Sequence, residues 1–187
     1  MIDDSQTDED LMAVLGLAQI EALVPLVHRY QHKALSTAYR MLGRRDLAED
    51  VTQEAFLRVN KAAPNYEPRA KFSTWFYRIV VNLCLDEQRR NKRQLEACRD
   101  FLEQVPSPSK EDNPIDIQEA HEKQRAVREA LGKLNERERT VVVLQRYEGL
   151  SYREMAEVTG WSESAIDSLL VRAYRKLRQE LKKFEKL

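Results

Sequence analysis

Apolar residues recur three and four positions apart along nearly all of this chain, and strict two-residue alternation is almost absent. A polypeptide patterned this way can bury its apolar surface only by packing helices against one another. The stretch KFSTWFYRIVVNLCLDEQRR, residues 71–90, shows the spacing clearly: Phe72, Phe76, Ile79, Val80 and Leu83 mark one helix face. VVV at 141–143 is β-branched but sits inside a helical pattern, so strand signals stay weak. The period fails at QVPSPSKEDNP, residues 104–114, which holds three prolines, several acids and almost no apolar side chain. Such a segment cannot bury enough surface to fold alone. The expected fold is therefore all-α, with two small helical domains joined by a flexible acidic linker. The boundaries expected are an acidic disordered tail over 1–11, an N-terminal domain over 12–95, a linker over 96–118 and a C-terminal domain over 119–187. Further breaks fall at Gly43 and around Pro64 to Pro68, and Pro25 starts or kinks a helix.

Lys and Arg number 31, Asp and Glu 31, so the formal charge is zero and a purely electrostatic nucleic-acid binder is excluded. The charges are nonetheless segregated. The first ten residues hold five acids and no base, and Asp100 to Glu122 is acidic, whereas Arg89 to Arg93 and Arg172 to Lys186 are basic. Salt screens the distant acids over about 8–10 Å, so the basic stretches can attract phosphate locally. Two cysteines, Cys84 and Cys98, are too few for a disulfide scaffold or a zinc cluster, and Cys84 reads as a small core residue. No apolar run approaches the ~18 residues of a membrane span, and the acidic start is unlike a signal peptide. A soluble, cytoplasmic chain with no membrane insertion is expected.

In the C-terminal part, Asn135 with Glu138 and Ser151 with Glu154 have the spacing of reciprocally capped helix starts. Gly149 closes the helix that runs between them. Ala156, Gly160 and Ile166, spaced by four and six, supply what a helix-turn-helix needs. These are a small residue where two helices touch, a residue tolerant of positive φ in the turn, and an apolar anchor under the second helix. Ser162 is placed to cap that second helix. Ile166, Leu169, Leu170, Ala173 and Leu177 share its inner side. Ser164, Ser168, Val171, Arg175 and Arg178 share the opposite side, flanked by Asp167 and Arg172. Short polar groups at the N-terminal end with arginines further along suit docking in a major groove; a plain helical hairpin with solvated arginines is the bland alternative.

Two further faces stay open on spacing alone. Lys71, Trp75, Arg78, Asn82 and Arg89 fall on an arc beside the apolar face of 71–90, with Asp86 at its edge. This is either a surface for phosphates and bases or a solvated rim. In DLAEDVTQEAF, residues 46–56, Asp50, Gln53 and Glu54 cluster over an apolar underside of Leu47, Val51, Ala55 and either Leu57 or Phe56; by charge alone this is a solvated face. His28 and His32 share i,i+4 spacing, but Arg29 stands where a zinc hydrolase would need Glu, and no third ligand is apparent. No phosphate-cradling glycine loop, nucleophile motif, cofactor motif or metal set is found, so catalytic residues are not expected.

Read together, YRMLGRRDLAEDVTQEAFLRVNKA (39–62), KFSTWFYRIVVNLCLDEQRR and SYREMAEVTGWSESAIDSLLVRAYRKLRQEL (151–181) closely resemble the bacterial extracytoplasmic-function (ECF) sigma factors of the sigma-70 family. The resemblance spans about residues 12–95 and 119–185. It implies a promoter-recognition subunit of RNA polymerase rather than an enzyme. Asp50, Gln53 and Glu54 would then dock on the coiled-coil clamp of the β′ subunit, with the β subunit also contacted. The N-terminal domain would engage the −10 element and capture its displaced strand, held by a basic groove and stacking surfaces. An extruded base would be read on the edge that pairing had hidden. In that role Tyr66, in the loop NKAAPNYEPRAK, would form the base pocket and Asn82 a polar base contact. Lys71, Arg78 and Arg89 would take phosphates, and Trp75 would stack on DNA or support the pocket. The helix-turn-helix would read the −35 element through Ser162, Ser164, Asp167, Ser168, Arg172 and Arg175. Many relatives carry a basic residue where this chain has Asp167, and often another where Leu169 stands, which leaves the −35 preference open. The resemblance also implies promoter DNA and an anti-sigma factor as partners, the latter able to hold the chain at the membrane. The rival reading is a helix-turn-helix regulator that acts without core polymerase.

Overall fold

The computed structural model describes residues 6–99 and 118–182. Helices α1 (Asp8–Gly16), α2 (Leu23–Leu42), α3 (Arg45–Ala62) and α4 (Phe72–Arg99) form the N-terminal unit; α5 (Gln118–Gly132), α6 (Glu136–Arg146), α7 (Tyr152–Thr159) and α8 (Glu163–Leu181) form the C-terminal one. Short 3-10 turns lie at Ile20–Ala22 and Ala63–Asn65. No strand occurs among the described residues. Of the expected linker, residues 100–117 fall outside the described residues, while 96–99 continue α4 and 118 opens α5.

The expected tail over 1–11 is corrected from residue 8 onward, because α1 is a regular, packed helix. The Thr7 side chain accepts from the Asp10 N–H at 3.1 Å and the Asp10 carboxylate accepts from the Thr7 N–H at 3.2 Å, which satisfies two otherwise orphaned donors. Asp8, Glu9 and Asp10 sit in the first turn, where the helix dipole favours negative charge. Leu11, Met12 and Leu15 are buried in the core. The helix is tied down on two sides. Asp8 accepts from Arg29 Nη1 at 2.7 Å and from the Tyr30 hydroxyl at 2.5 Å, and Glu9 Oε1 accepts from the Phe72 N–H at 3.0 Å. A Cβ added at Gly16 would lie 2.9 Å from the Ala63 carbonyl oxygen, so only glycine lets the end of α1 approach the second 3-10 turn so closely.

Pro25 lies in the first turn of α2, where its missing N–H removes no intrahelical bond, so it neither breaks nor kinks the helix. Gly43 ends α2 at φ 73° and gives its N–H to the Tyr39 carbonyl at 2.8 Å, turning the chain back into α3. Phe72 and Phe76 stack with ring centroids 5.9 Å apart, and Phe56 and Tyr30 close on Phe76 at 5.2 and 5.3 Å. Cys84 is fully buried within this core, and burial, reinforced by Glu87, pushes its thiol up to about 12. It is a packing residue, inert as a nucleophile.

The two units also touch directly, and their buried residues form one continuous cluster. Helix α7 packs on α4 and α6 on α2. Glu148, just past α6, accepts from Thr37 Oγ1 of α2 at 2.5 Å and from the Tyr77 hydroxyl of α4. Arg139 donates to the Leu131, Gly132 and Leu134 carbonyls at the end of α5 and, at 2.8 Å, to Met41 O at the end of α2. A cation suits both sites, since each is the negative end of a helix. Arg40 stacks over the Tyr147 ring at 4.0 Å, and Lys71 pairs with Glu154 at 3.2 Å.

Candidate nucleic-acid interface

The helix-turn-helix forms as its spacing requires. Ser151 and Glu154 cap α7 reciprocally, and Gly160 ends it at φ 73° with its N–H bonded to Ala156 O at 2.8 Å. Ser162 accepts from the Ala165 N–H at 3.2 Å to start α8, and Ile166, fully buried, anchors the second helix. Asn135 and Glu138 form the other capping box. Burial pushes the Glu138 carboxyl up, but Lys176, whose ammonium lies 2.7 Å away, and the Asn135 N–H pull it below the usual carboxylate range. That ion pair ties the start of α6 to α8. On α8, Leu169, Leu170 and Ala173 join Ile166 inside, whereas Ser162, Ser164, Asp167, Ser168, Arg172 and Arg175 are all exposed. The polar face is thus free to enter a groove. Asp167 accepts weakly from the Tyr152 hydroxyl at 3.4 Å, which steers its carboxylate toward α7.

On the N-terminal unit, Lys71, Arg78, Asn82 and Arg89 are exposed along α4 and its start. Arg89 pairs with Asp86 at 3.2 Å, an exposed contact that a phosphate could replace at little cost. Tyr66 is partly buried, with its ring 4.9 Å edge-on from Trp75, and Trp75 lies 5.7 Å from Phe72. The tryptophan thus bridges the tyrosine and Phe72 of the core. The Tyr66 hydroxyl is buried with no hydrogen-bond partner among the described residues. Burial, with Glu9 and Asp8 nearby, raises its pKa, so it stays a neutral group with an unused donor.

On α3, Asp50 and Gln53 are exposed and Glu54 is half-exposed, paired with Arg58 Nε at 2.9 Å. The open choice beneath them resolves to Phe56, which is buried, while Leu57 is 64% exposed and sits one turn beyond Gln53 and Glu54 on the same side. The i, i+3, i+4, i+7 series from Asp50 was the available signal for it. Sequence reasoning also missed Glu9, whose carboxylate fills the N-terminal end of α4. Its only local sign was the Thr7–Asp10 cap. His28 and His32 are exposed on α2, and no group of metal-ligating side chains occurs among the described residues. No helix among those residues is long and apolar enough to cross a membrane.

Two helical units, one a helix-turn-helix with an open polar face and one with a basic stripe beside an aromatic cluster, define a DNA-binding protein. A family model for Sigma-70 region 2 matches residues 26–94 and one for Sigma-70, region 4 matches residues 124–177. The chain is 35% identical over 159 residues to the ECF RNA polymerase sigma factor SigE of Mycolicibacterium smegmatis, a match covering 84% of this chain and 61% of that protein. It is 32% identical over 168 residues to the ECF RNA polymerase sigma factor SigW of Bacillus subtilis, covering 87% and 90%. The solved structure of CnrH in complex with the cytosolic domain of CnrY aligns with a TM-score of 0.69 at 27% identity, over 97% of this chain and 99% of that one. This chain belongs to the ECF sigma factors of the sigma-70 family.

Proposed function

We propose a division of labour among three exposed faces, with catalysis left to the polymerase core. Asp50, Gln53 and Glu54 on α3 dock on the β′ clamp. Residues 60–71 and the exposed side of α4 hold the single-stranded −10 element, with Tyr66 lining the base pocket, Trp75 supporting it, Asn82 touching a base and Lys71, Arg78 and Arg89 taking phosphates. Helix α8 reads the −35 element in duplex DNA, with Ser162, Ser164, Asp167 and Ser168 toward the bases and Arg172 and Arg175 on the backbone. The observation that carries this reading is that Asp50 and Gln53 on α3, Lys71, Arg78, Asn82 and Arg89 along α4, and the polar side of α8 are exposed together on a chain that matches sigma regions 2 and 4 in order. An anti-sigma factor of the kind that CnrY represents for CnrH is the regulatory partner, and the chain works in the cytoplasm.

Promoter binding requires the two units to separate. The −10 and −35 elements lie about 25 base pairs apart, or about 85 Å at about 3.4 Å per base pair. A compact body of this length has a radius of gyration of only about 16 Å. The contacts of Glu148 and Arg139 across the units therefore hold a form that cannot span both elements. Transcription by core RNA polymerase supplemented with the purified chain tests the whole reading. New starts, mapped on genomic DNA and sharing a −10 and −35 pattern, are expected; unchanged starts would refute it.

A further inference from the structure

On α8, Ser164, Ser168, Val171 and Arg175 fall within an arc of roughly 60° at about 100° per residue. Three of them are polar. Val171 is 62% exposed, although Leu169, Leu170 and Ala173 beside it are buried. Folding thus leaves one aliphatic side chain in water on the face that the helix-turn-helix presents to DNA. Asp167 and Ser168 lie one turn before Val171, and Arg172 and Arg175 follow it, all exposed. With Arg172 and Arg175 on the phosphate backbone, as proposed for α8, Val171 would meet the floor of the groove rather than its walls. The apolar group that bases display in the major groove is the 5-methyl of thymine. A β-branched side chain is already restricted at χ1, so it loses little freedom on making such a contact.

We propose that Val171 selects a thymine in the −35 element through that methyl group. The proposal rests on α8 being the −35 reader and adds the base class that this chain prefers. Removing one methyl from an apolar contact is worth about fourfold in binding. Because Val171 is outside the core, its truncation opens no cavity, and Val171→Ala is a clean probe.

The test uses the full chain with core RNA polymerase and a promoter library randomised over the −35 element. In the selected promoter, each thymine is replaced in turn by deoxyuridine, which pairs identically but lacks the methyl. One replacement is expected to reduce promoter occupancy by about fourfold with the native chain and to be neutral with Val171→Ala, with no other position losing its dependence. Three results overturn the proposal: a selected element without thymine, deoxyuridine tolerated at every position, or a penalty that persists unchanged in Val171→Ala. A library from which nothing is transcribed would instead refute the sigma-factor roles on which the proposal depends, and the proposal with them.

Discussion

At the scale of single residues, the side chains that matter most for partners are those the core does not use. Leu57 shows how exposure carries information. Adjacent to Phe56 and only about 100° away around α3, it stands 64% exposed beside Asp50, Gln53 and Glu54. Apolar anchors ringed by polar groups dominate many protein interfaces. We expect Leu57→Ala to weaken association with core polymerase about tenfold, measured by fluorescence titration, while thermal unfolding shifts by no more than about 0.5 kcal/mol. A loss of stability larger than that would place Leu57 in the fold rather than in the proposed docking face. Phe76 behaves in the opposite way. Fully buried between Tyr30, Phe56 and Phe72, it should cost about 3–5 kcal/mol when cut to alanine, read by urea denaturation.

At the scale of elements, local chemistry decided what could be read in advance. The turn between α7 and α8 was legible because each of its parts is encoded within a few residues: the Ser151–Glu154 cap, Gly160 in the left-handed region and Ser162 as the next cap. Helix α1 carried the same kind of signal in Thr7 and Asp10, but five acids in ten residues outweighed it. What composition could not convey is that Asp8 and Glu9 have fixed partners in Arg29, Tyr30 and the Phe72 N–H. The choice between Leu57 and Phe56 turns on where the buried arc of α3 is centred: at about 100° per residue Phe56 lies at its edge beside Ala48, Thr52 and Val59, and Leu57 lies on the far side with Asp50, Gln53 and Glu54. The Glu154 cap also carries a pH dependence. The Ser151 N–H and hydroxyl, followed by Lys71, lower its carboxyl to about 2. A depressed carboxylate stabilises the fold fully above its unfolded value of about 4.3 and loses that contribution as pH falls toward 2. Glu154→Gln should therefore melt below the native chain at pH 7, and the gap in melting temperature should narrow steadily between about pH 4.5 and pH 2. A gap constant across that range would mean the charge is not what the cap supplies.

At the scale of the whole molecule, the continuous apolar cluster between the units is joined by convergent polar contacts, and no sequence period encodes these. Thr37, Tyr77 and Glu148 come from three different elements, so their meeting depends on both units being folded first. Burial and the Glu148 bond raise the Tyr77 pKa, which keeps its hydroxyl a donor at any physiological pH. Glu148→Ala leaves that hydroxyl without its acceptor, and a buried unpaired donor costs about 1–3 kcal/mol. In the free chain carrying one fluorescent label on each unit, this substitution should lengthen the inter-unit distance; unchanged transfer efficiency would show that Glu148 does not hold the units together. The acidic start has its own implication for how this protein is handled. Because Glu9 occupies the amide-rich end of α4 and Leu11, Met12 and Leu15 sit beneath it, trimming the first sixteen residues to tidy a sample would uncover greasy surface. It would also strip the mount from the helix that carries the exposed basic stripe. Shortened versions would then score as inactive for want of a foundation, and the fault would be misassigned to the exposed side chains of that stripe.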